Sequence, residues 1–360
     1  MKKRIAIIYN EPTISTENGK EFISQTSFNN NLDFNSVSNL SAKLIDMSEV
    51  GVLEEKEDIQ RVLEKYNYEA VIFNVSENIK ELIQFIENEK IDLIFNLVEG
   101  LGEESIHEMH IAGIYDLLGK NYTGSAARTL GICLDKARTK EILSHHKILT
   151  PNFTTLYYGE NFTKAQINLK YPLFVKFREQ DASLGIDNNS LVTTFKELKD
   201  KVLDLWSQHQ GSIIIEEYID GRELNIAVIG NEKPIAMPIS EISFDTLPKN
   251  YPKIVSYNSK WMKGTVEYDH TVGICPADLP KNLTTEMQKI AVEAFKILGL
   301  RDYSRVDFRL DENNIPYVLE VNPNPDITDD AGFARSAKAA GYSYEEIVAK
   351  IIEMALNRSK

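Results

Sequence analysis

The sequence has few cysteines, no long apolar run and more acidic than basic residues. Only Cys133 and Cys275 occur among its 360 residues, which excludes a disulfide framework and is typical of a reducing cytosol. No segment approaches the roughly 18 consecutive apolar residues that a transmembrane helix requires. The formal net charge of −14 disfavours nucleic acid as a partner. We therefore expect a cytoplasmic globular protein of about two or three domains, with no membrane or nucleic-acid partner.

Several common catalytic signatures are also missing. The sequence contains no Gly-Lys-Ser/Thr of a Walker A loop and no His-Glu-x-x-His zinc motif. His107 and His110 do not have the spacing of that zinc motif. No Ser-His-Asp or Cys-His unit is evident. These absences disfavour a P-loop nucleotidase, a zinc hydrolase and a triad hydrolase.

The most informative stretch is RDYSRVDFRLDENNIPYVLEVNPNPDIT, at residues 301–328. Two strand-like runs, 303–310 and 315–321, flank a polar turn, and this pattern predicts a β-hairpin. If the turn joins the adjacent ends of these runs, Arg305 lies opposite Glu320, and Asp307 lies diagonal to Glu320 on the same face.

Asn322 continues the face that carries Asp307 and Glu320. Two neighbouring carboxylates repel each other unless one is protonated or a cation lies between them. Two carboxylates and an amide oxygen suit a hard cation such as Mg²⁺, with phosphates as further ligands. The plain alternative is an acidic hairpin on a solvated surface.

The first hundred residues alternate between strand and helix patterns. This alternation predicts an open, mostly parallel sheet that binds ligands near the carboxyl ends of its strands. Residues 10–48 are rich in Asn and Ser and predict a partly irregular insertion. The predicted strands are 4–9, 70–75 and 91–96, and the predicted helices are 54–66 and 78–89.

Two loops carry residues that could bind ligands. The loop at 97–105 is acidic and glycine-bearing; it suits a substrate ammonium, or it is simply solvated. A later strand, 171–176, ends in Lys176 and leads into a polar loop that contains Ser183. Such a loop can bring backbone N–H groups against phosphate.

Two later helices carry start signals. Thr285-x-x-Gln288 and Ser343-x-x-Glu346 each match the capping box, in which the two side chains satisfy free backbone N–H groups. An apolar stripe follows each signal, so we predict helices that begin at these positions and face the core.

The order and spacing of these motifs resemble those of ATP-grasp ligases, specifically the D-alanine–D-alanine ligase group. The resemblance covers roughly residues 91–355. It implies an ATP-grasp fold of mixed α/β and α+β class, with an N-terminal open parallel α/β domain before the ATP-grasp domains. The implied divisions are 1–120 for that substrate-side domain, 121–210 for the small central subdomain and 211–360 for the C-terminal subdomain with the metal site.

The resemblance also implies an ATP site. Lys136 and Lys176 would neutralise phosphate oxygens, and Glu223 would hold the ribose. The strand that hydrogen-bonds the adenine matches a run of four residues: Glu216, Glu217, Tyr218 and Ile219.

Three residues match the catalytic positions of the family. Ser183 lies in the loop over the phosphates, Lys260 lies in the substrate-side loop, and Arg305 matches the arginine that stabilises the tetrahedral intermediate. The tyrosine that follows the substrate-side lysine is here Trp261, and the family's early glutamate–serine pair is not evident. Asp307, Glu320 and Asn322 match the ligands of Mg²⁺, with Mn²⁺ as the alternative metal.

The substrate side departs from the family pattern. The family's Thr-x-Pro-Gly becomes Pro-Asn-Pro-Asp326, and the serine that holds the acceptor carboxylate becomes Ala331. Three acidic groups, of Asp326, Asp329 and Asp330, would repel such a carboxylate and favour an amine-bearing substrate. We predict that Glu99, Asp326 and Asp329 bind or orient that amine.

These residues together predict an ATP- and Mg²⁺-dependent carboxylate–amine ligase that acts through an acyl phosphate. Its expected partners are a small carboxylate and a small amine that differ from D-alanine. The alternatives are a true D-alanine–D-alanine ligase, a non-catalytic ATP-binding sensor, and a phosphotransferase that stops at phosphoryl transfer. Family members are often dimers, so the resemblance points to a homodimer.

Overall fold

The computed structural model describes residues 2–11, 13–16, 19–22, 47–75, 78–101 and 104–358. The chain forms two compact units. The first contains Met1–Ala127, Ile327–Asp329 and Tyr342–Lys360, and the second contains Arg128–Asp326 and Asp330–Gly341. The division predicted at 121–210 and 211–360 stays a prediction. No helix in the described ranges is long and apolar enough to cross a membrane.

The first unit is built on a parallel sheet with the order β4-β1-β5. Residues Ile5–Ile8 of the central strand are fully buried, which explains their continuous apolar run. The helices connect and cover the strands, and this confirms the predicted alternation of strands and helices. The elements are β1 (Arg4–Tyr9), α1 (Met47–Lys65), β4 (Glu69–Asn74), α2 (Ile79–Asn88), β5 (Leu93–Leu97), α3 (His107–Leu117) and the C-terminal α11 (Tyr344–Asn357).

The predicted insertion at 10–48 lies largely outside the described residues. Within it, β2 (Thr13–Thr16) and β3 (Gly19–Phe22) form an antiparallel pair. The helix predicted at 54–66 begins earlier, at Met47.

The second unit contains two antiparallel sheets. The smaller has the order β6-β9-β7-β8 and is covered by helix α6. Leu198, Val202 and Leu205 recur at helical spacing along α6 and are fully buried against this sheet. Its elements are β6 (Phe153–Leu156), β7 (Leu173–Phe177), β8 (Leu191–Val192), α6 (Phe195–Gln208) and β9 (Ile213–Glu217).

The larger sheet has the order β13-β12-β10-β14-β15, with β11 paired to β10. Helix α9 packs on it through an apolar stripe that includes Met287, Ala291 and Ala294. The sheet is made of β10 (Arg222–Gly230), β11 (Ile235–Ala236), β12 (Ser240–Ser243), β13 (Val272–Ile274), β14 (Asp302–Leu310) and β15 (Pro316–Asn322). The helices of this unit that matter below are α4 (Ala127–Leu134), α5 (Lys136–His145), α7 (Tyr257–Trp261), α8 (Val266–Asp269), α9 (Lys281–Ile297) and α10 (Gly332–Ala339).

Strands β14 and β15 form the predicted hairpin, but the assumed pairing was wrong. Leu310 pairs with Pro316, and a bulge after Asp307 leaves Leu319 as an extra residue on β15. As a result Asp307 lies directly opposite Glu320, and Arg305 lies opposite Asn322.

Candidate active site

The centre of the site is the pair of opposed carboxylates on β14 and β15. Directly opposite residues of an antiparallel pair have their Cβ atoms about 4.5–5.5 Å apart, so Asp307 and Glu320 can share one cation. Asn322 donates from Nδ2 to Asp307 Oδ2 at 3.0 Å. Arg305 donates two hydrogen bonds to Asp307, at 2.7 and 2.8 Å. Arg305 therefore pairs with Asp307, whereas the assumed register had offered Glu320 as its partner.

Glu320 is held in its ionised form by the cations around it. Burial would raise its pKa, but the positive charges of Lys176, Lys136, Lys260 and Arg305 lower the pKa to about 2. Lys176 Nζ lies 3.7 Å from Glu320 Oε2.

The donor set on this hairpin suits Mg²⁺. It consists of oxygen atoms from two carboxylates and one amide, which hard cations prefer. Among the residues that the structure describes, no cluster of three carboxylate, histidine or cysteine side chains forms a complete metal cage. With three oxygen donors from the protein, an ion here would keep positions open for phosphate oxygens and water.

A buried chain of lysine and glutamate side chains lies beside the carboxylates. Glu216 Oε1 is 3.3 Å from Lys140 Nζ and 3.5 Å from Lys176 Nζ. Lys140 also donates to the carbonyl of Leu319, the bulged residue, at 2.8 Å. Burial lowers the pKa of Lys140 to about 8, although the charge of Glu216 opposes this shift.

Lys136 holds the start of the loop that was predicted to cover the phosphates. Its Nζ donates to Gln180 O at 2.6 Å and lies 3.2 Å from Asp181 Oδ1. The preceding Asp135 caps helix α5 and accepts hydrogen bonds from Nε and Nη2 of Arg178, at 2.7 and 2.5 Å. Charged hydrogen bonds therefore fix the start of helix α5 to residues 178–181, where the loop begins.

The loop itself adopts a left-handed backbone. Ala182 and Ser183 have φ of 55° and 62°, a conformation that costs about 1–2 kcal/mol for each non-glycine residue. Trp261 on α7 donates from Nε1 to Ala182 O at 3.0 Å. Its neighbour Lys260 is half-buried and lies within electrostatic reach of the Glu320 carboxylate.

The residues predicted to contact the adenine and ribose lie at the end of β9 and the start of β10. Glu217 accepts hydrogen bonds from Asn152 Nδ2 and the backbone N–H of Lys170. Ile219 is half-buried. Glu223 lies 3.3 Å from Arg309, whose guanidinium stacks over the ring of Tyr218 at 4.9 Å.

In the first unit, polar groups lie at the carboxyl ends of the parallel strands. The backbone N–H of Glu99 donates to Asn10 Oδ1 at 3.2 Å, and that of Glu11 donates to Asn74 Oδ1 at 2.9 Å. Burial raises the pKa of Glu11, an effect that Lys56 partly opposes. This is the edge at which open α/β sheets bind ligands.

Comparison with known proteins decides the family. A family profile described as the D-ala D-ala ligase C-terminus matches residues 142–353, more than half of the chain. The chain belongs to the D-alanine–D-alanine ligase family. The enzyme class is therefore an ATP-dependent carboxylate–amine ligase, which confirms the class that the motifs predict.

Individual relatives are about 30% identical to this chain. The D-alanine–D-alanine ligase of Carboxydothermus hydrogenoformans is 31% identical over 83% of this chain and 91% of that enzyme. The uncharacterized protein y4sG of Sinorhizobium fredii is also 31% identical, over 74% of this chain and 75% of that protein.

Solved structures of the family share the fold. The D-alanine–D-alanine ligase of Bacillus anthracis complexed with ATP has a TM-score of 0.72 at 23% identity, over 98% of this chain and 97% of that one. The VanG D-Ala:D-Ser ligase of Enterococcus faecalis has a TM-score of 0.69 at 19% identity, over 99% and 100%. These likenesses confirm the mixed α/β fold class with its N-terminal parallel sheet.

The structure brings most of the predicted ligase residues together in the second unit, including Asp326. Glu99 and Asp329 belong to the first unit. Three charged residues were missed: Lys140, Glu11 and Arg335. Lys140 could have been found from its position one helical turn after Lys136, and Glu11 from its place just beyond a buried strand. Arg335, described below, gave no signal.

Replacing Trp261 with phenylalanine tests the role of the hydrogen bond to the loop. The loss of one buried hydrogen bond costs about 0.5–1.5 kcal/mol, so we expect the KM for ATP to rise about two- to tenfold. Hydrogen exchange of the amides at 181–186 should speed up by a similar factor. Trp206→Phe is the matched control, because Trp206 bonds Gly211 O outside the loop. Equal exchange rates in both variants would contradict this role.

Proposed function

We propose that the protein joins the carboxylate of one small molecule to the amine of another through an acyl phosphate, with release of ADP. The observation that carries this proposal is the arrangement of Asp307 opposite Glu320, with Arg305 paired to Asp307 and Lys176 beside Glu320. A hard cation between two carboxylates, next to several lysines, is suited to phosphoryl transfer.

The reaction has two steps. An oxygen of the donor carboxylate attacks the γ-phosphorus of ATP, the bond to the bridging oxygen breaks, and ADP leaves. The acceptor amine then attacks the acyl carbon, loses a proton and expels inorganic phosphate. Mg²⁺ held by Asp307, Glu320 and Asn322 would offset the charge of the phosphates.

The side chains of this chain supply positioning and charge. Lys136 and Lys176 would face phosphate oxygens, and Arg305 would stabilise the oxyanion that develops at the acyl carbon. The left-handed loop at Ala182 and Ser183 would direct backbone N–H groups towards phosphate. Glu223 would hold the ribose.

The substrate pair is proposed to differ from two D-alanines. Ala331 cannot supply the hydroxyl that family members use on the acceptor carboxylate, and Asp326 adds a negative charge nearby. Glu99, Asp326 and Asp329 are proposed to orient the acceptor amine. A homodimer and a cytoplasmic location stay predictions.

The test is a panel assay. ADP release from ATP and Mg²⁺ is measured against amino acids, dipeptides and polyamines, with mass spectrometry of the products. A carboxylate with a different amine should give both ADP and a condensed product. D-alanine alone, yielding the dipeptide, would contradict the substrate proposal. ADP release without an amine would favour a phosphotransferase, and tight nucleotide binding without turnover would favour a sensor.

A further inference from the structure

Arg335 is a half-buried cation whose hydrogen bonds go to a hydroxyl and a backbone carbonyl. Its Nε donates to Ser240 Oγ at 3.3 Å, and its Nη1 donates to the carbonyl of Asp330 at 2.8 Å. No carboxylate in the described part of the chain forms an ion pair with it. By contrast, three arginines on strands β10 and β14 each form an ion pair with a carboxylate: Arg222 with Glu241, Arg305 with Asp307 and Arg309 with Glu223.

The arginine lies on the face of the sheet that carries the proposed metal ligands. Ser240, Asn225, Asp307 and Glu320 occupy directly opposite positions on the four neighbouring strands β12, β10, β14 and β15. Their side chains therefore form one row on one face. Strands are about 4.8 Å apart, so Ser240 lies about 10 Å along this row from Asp307, and the guanidinium bound to Ser240 lies beyond it, against Gly273 of β13. That separation can hold the reacting groups and an acceptor between them.

The surroundings of Arg335 have the form of an anion site. A Cβ atom at Gly273 would lie 2.2 Å from Arg335 Cζ, so the glycine is what admits the guanidinium. Helix α10 starts after Ala331, which offers no side-chain cap to the free N–H groups of the first turn. Next to that turn, Asn225 Oδ1 is buried and accepts no hydrogen bond from the described residues, so this oxygen suits the amino group of the same ligand and not its carboxylate.

The charges around Arg335 also favour a negative ligand. Burial and the positive charge of Arg305 lower its pKa, whereas Cys275, Asp330 and Asp326 act in the opposite direction. The net lowering means that the neighbouring carboxylates only partly offset the cost of burying this charge, and a bound anion would offset it further.

We propose that Arg335 takes the place of the family's serine and binds the carboxylate of the acceptor. The proposal rests on the ligase function, since it assigns one end of the second substrate. The acidic residues alone suggested that an acceptor carboxylate would be repelled. Arg335 supplies the positive charge that such a carboxylate needs when the serine is replaced by Ala331.

The test compares amino acids with their primary amides, which lack only the negative charge. Glycine and glycinamide, and D-alanine and D-alaninamide, are titrated against the protein with Mg²⁺ and ADP by ligand-observed NMR. We expect the acids to bind at least tenfold more tightly than the amides, as a charged hydrogen bond would give. Arg335→Gln should remove this preference, and Arg335→Lys should keep part of it.

Two further variants control the result. Lys338→Gln makes the same charge change at an exposed position on the same helix and should leave the preference intact. Gly273→Ala displaces the guanidinium without altering its charge and should weaken the binding of the acids only. The proposal is overturned if no acid binds the wild type more tightly than its amide, or if Arg335→Gln keeps the preference.

Turnover of the same variants with ATP and Mg²⁺, measured on the same acids and amides, separates this inference from the proposed function. Arg335-dependent binding without a condensed product would contradict the ligase proposal and leave the carboxylate site standing. Condensed product from amides and acids alike would support the ligase and refute the role of Arg335.

Discussion

Glu320→Gln is expected to lower kcat for ADP formation by about 100- to 1,000-fold, the size of effect seen when one electrostatic contact to a transition state is removed. The glutamine lacks the negative charge that Asp307 and Glu320 would together offer a cation. It also leaves Lys176, 3.7 Å away, without one of its two carboxylate partners. The KM for ATP should change much less than kcat, because the nucleotide keeps its contacts with the other site residues.

Glu312→Gln is the matched control for this variant. Glu312 lies in the turn of the same hairpin and is exposed, so the same chemical change there should leave kcat within about twofold, as expected of a surface substitution. If both variants retained wild-type activity, the opposed carboxylates would not be the metal site.

Glu216→Gln is expected to destabilise the fold by about 3–5 kcal/mol at neutral pH, the cost of removing one partner from a buried ion pair. Glu216 is only 2% exposed and is shared by Lys140 and Lys176. Its neighbour Glu217 is half-buried and contacts Asn152 and a backbone N–H. Glu217→Gln should therefore cost about 1 kcal/mol. Urea unfolding of both variants measures the difference.

The loss of folding stability caused by Glu216→Gln should depend on pH. Because the pKa of Lys140 is lowered to about 8 from 10.5, the folded protein releases this proton while the unfolded chain retains it, so stability from this group rises between those pH values. Without the charge of Glu216 the pKa of Lys140 falls further, so the rise in stability with pH begins at a lower pH in the variant. The destabilisation should therefore be smaller at pH 9 than at pH 6. A loss that is equal at both values would show that Lys140 is not the group responsible.

Local patterns in the sequence predicted the hairpin but not its register. Alternation along β14 placed Arg305 and Asp307 on one face, as observed. The pairing failed because Asp311 Oδ1 accepts from the N–H groups of Asn313 and Ile315 and extends the turn, and because of the bulge at Leu319. Neither the extended turn nor the bulge can be recognised from the types of residue at these positions.

Helix starts show the same limit. Ser343 caps its helix with the reciprocal bond from Glu346, as predicted. Thr285 does not, since α9 already begins at Lys281 after Pro280, and the Thr285 hydroxyl donates back to the carbonyl of Lys281. A proline favours an earlier start, because its fixed φ suits the first turn of a helix and it needs no hydrogen-bond acceptor there.

Buried charges were the least predictable part of the site. The four acidic residues Glu99, Asp326, Asp329 and Asp330 suggested a cationic ligand when only the sequence was considered. The fold adds Arg335 beside Ser240 through a contact between residues 95 positions apart. Lys140 likewise reaches Leu319 across 179 positions. Such pairings depend on tertiary structure, which residue spacing does not encode.

The central claim is that a donor carboxylate is activated as an acyl phosphate. The most direct test supplies that carboxylate labelled with oxygen-18, using the substrate pair that gives ADP and a condensed product, and measures the label in the inorganic phosphate by mass spectrometry. The account predicts one labelled oxygen in each phosphate, because the carboxylate oxygen that attacks phosphorus departs with it, and one in the amide product. Unlabelled phosphate, with the labelled oxygen that leaves the donor recovered in water, would contradict it.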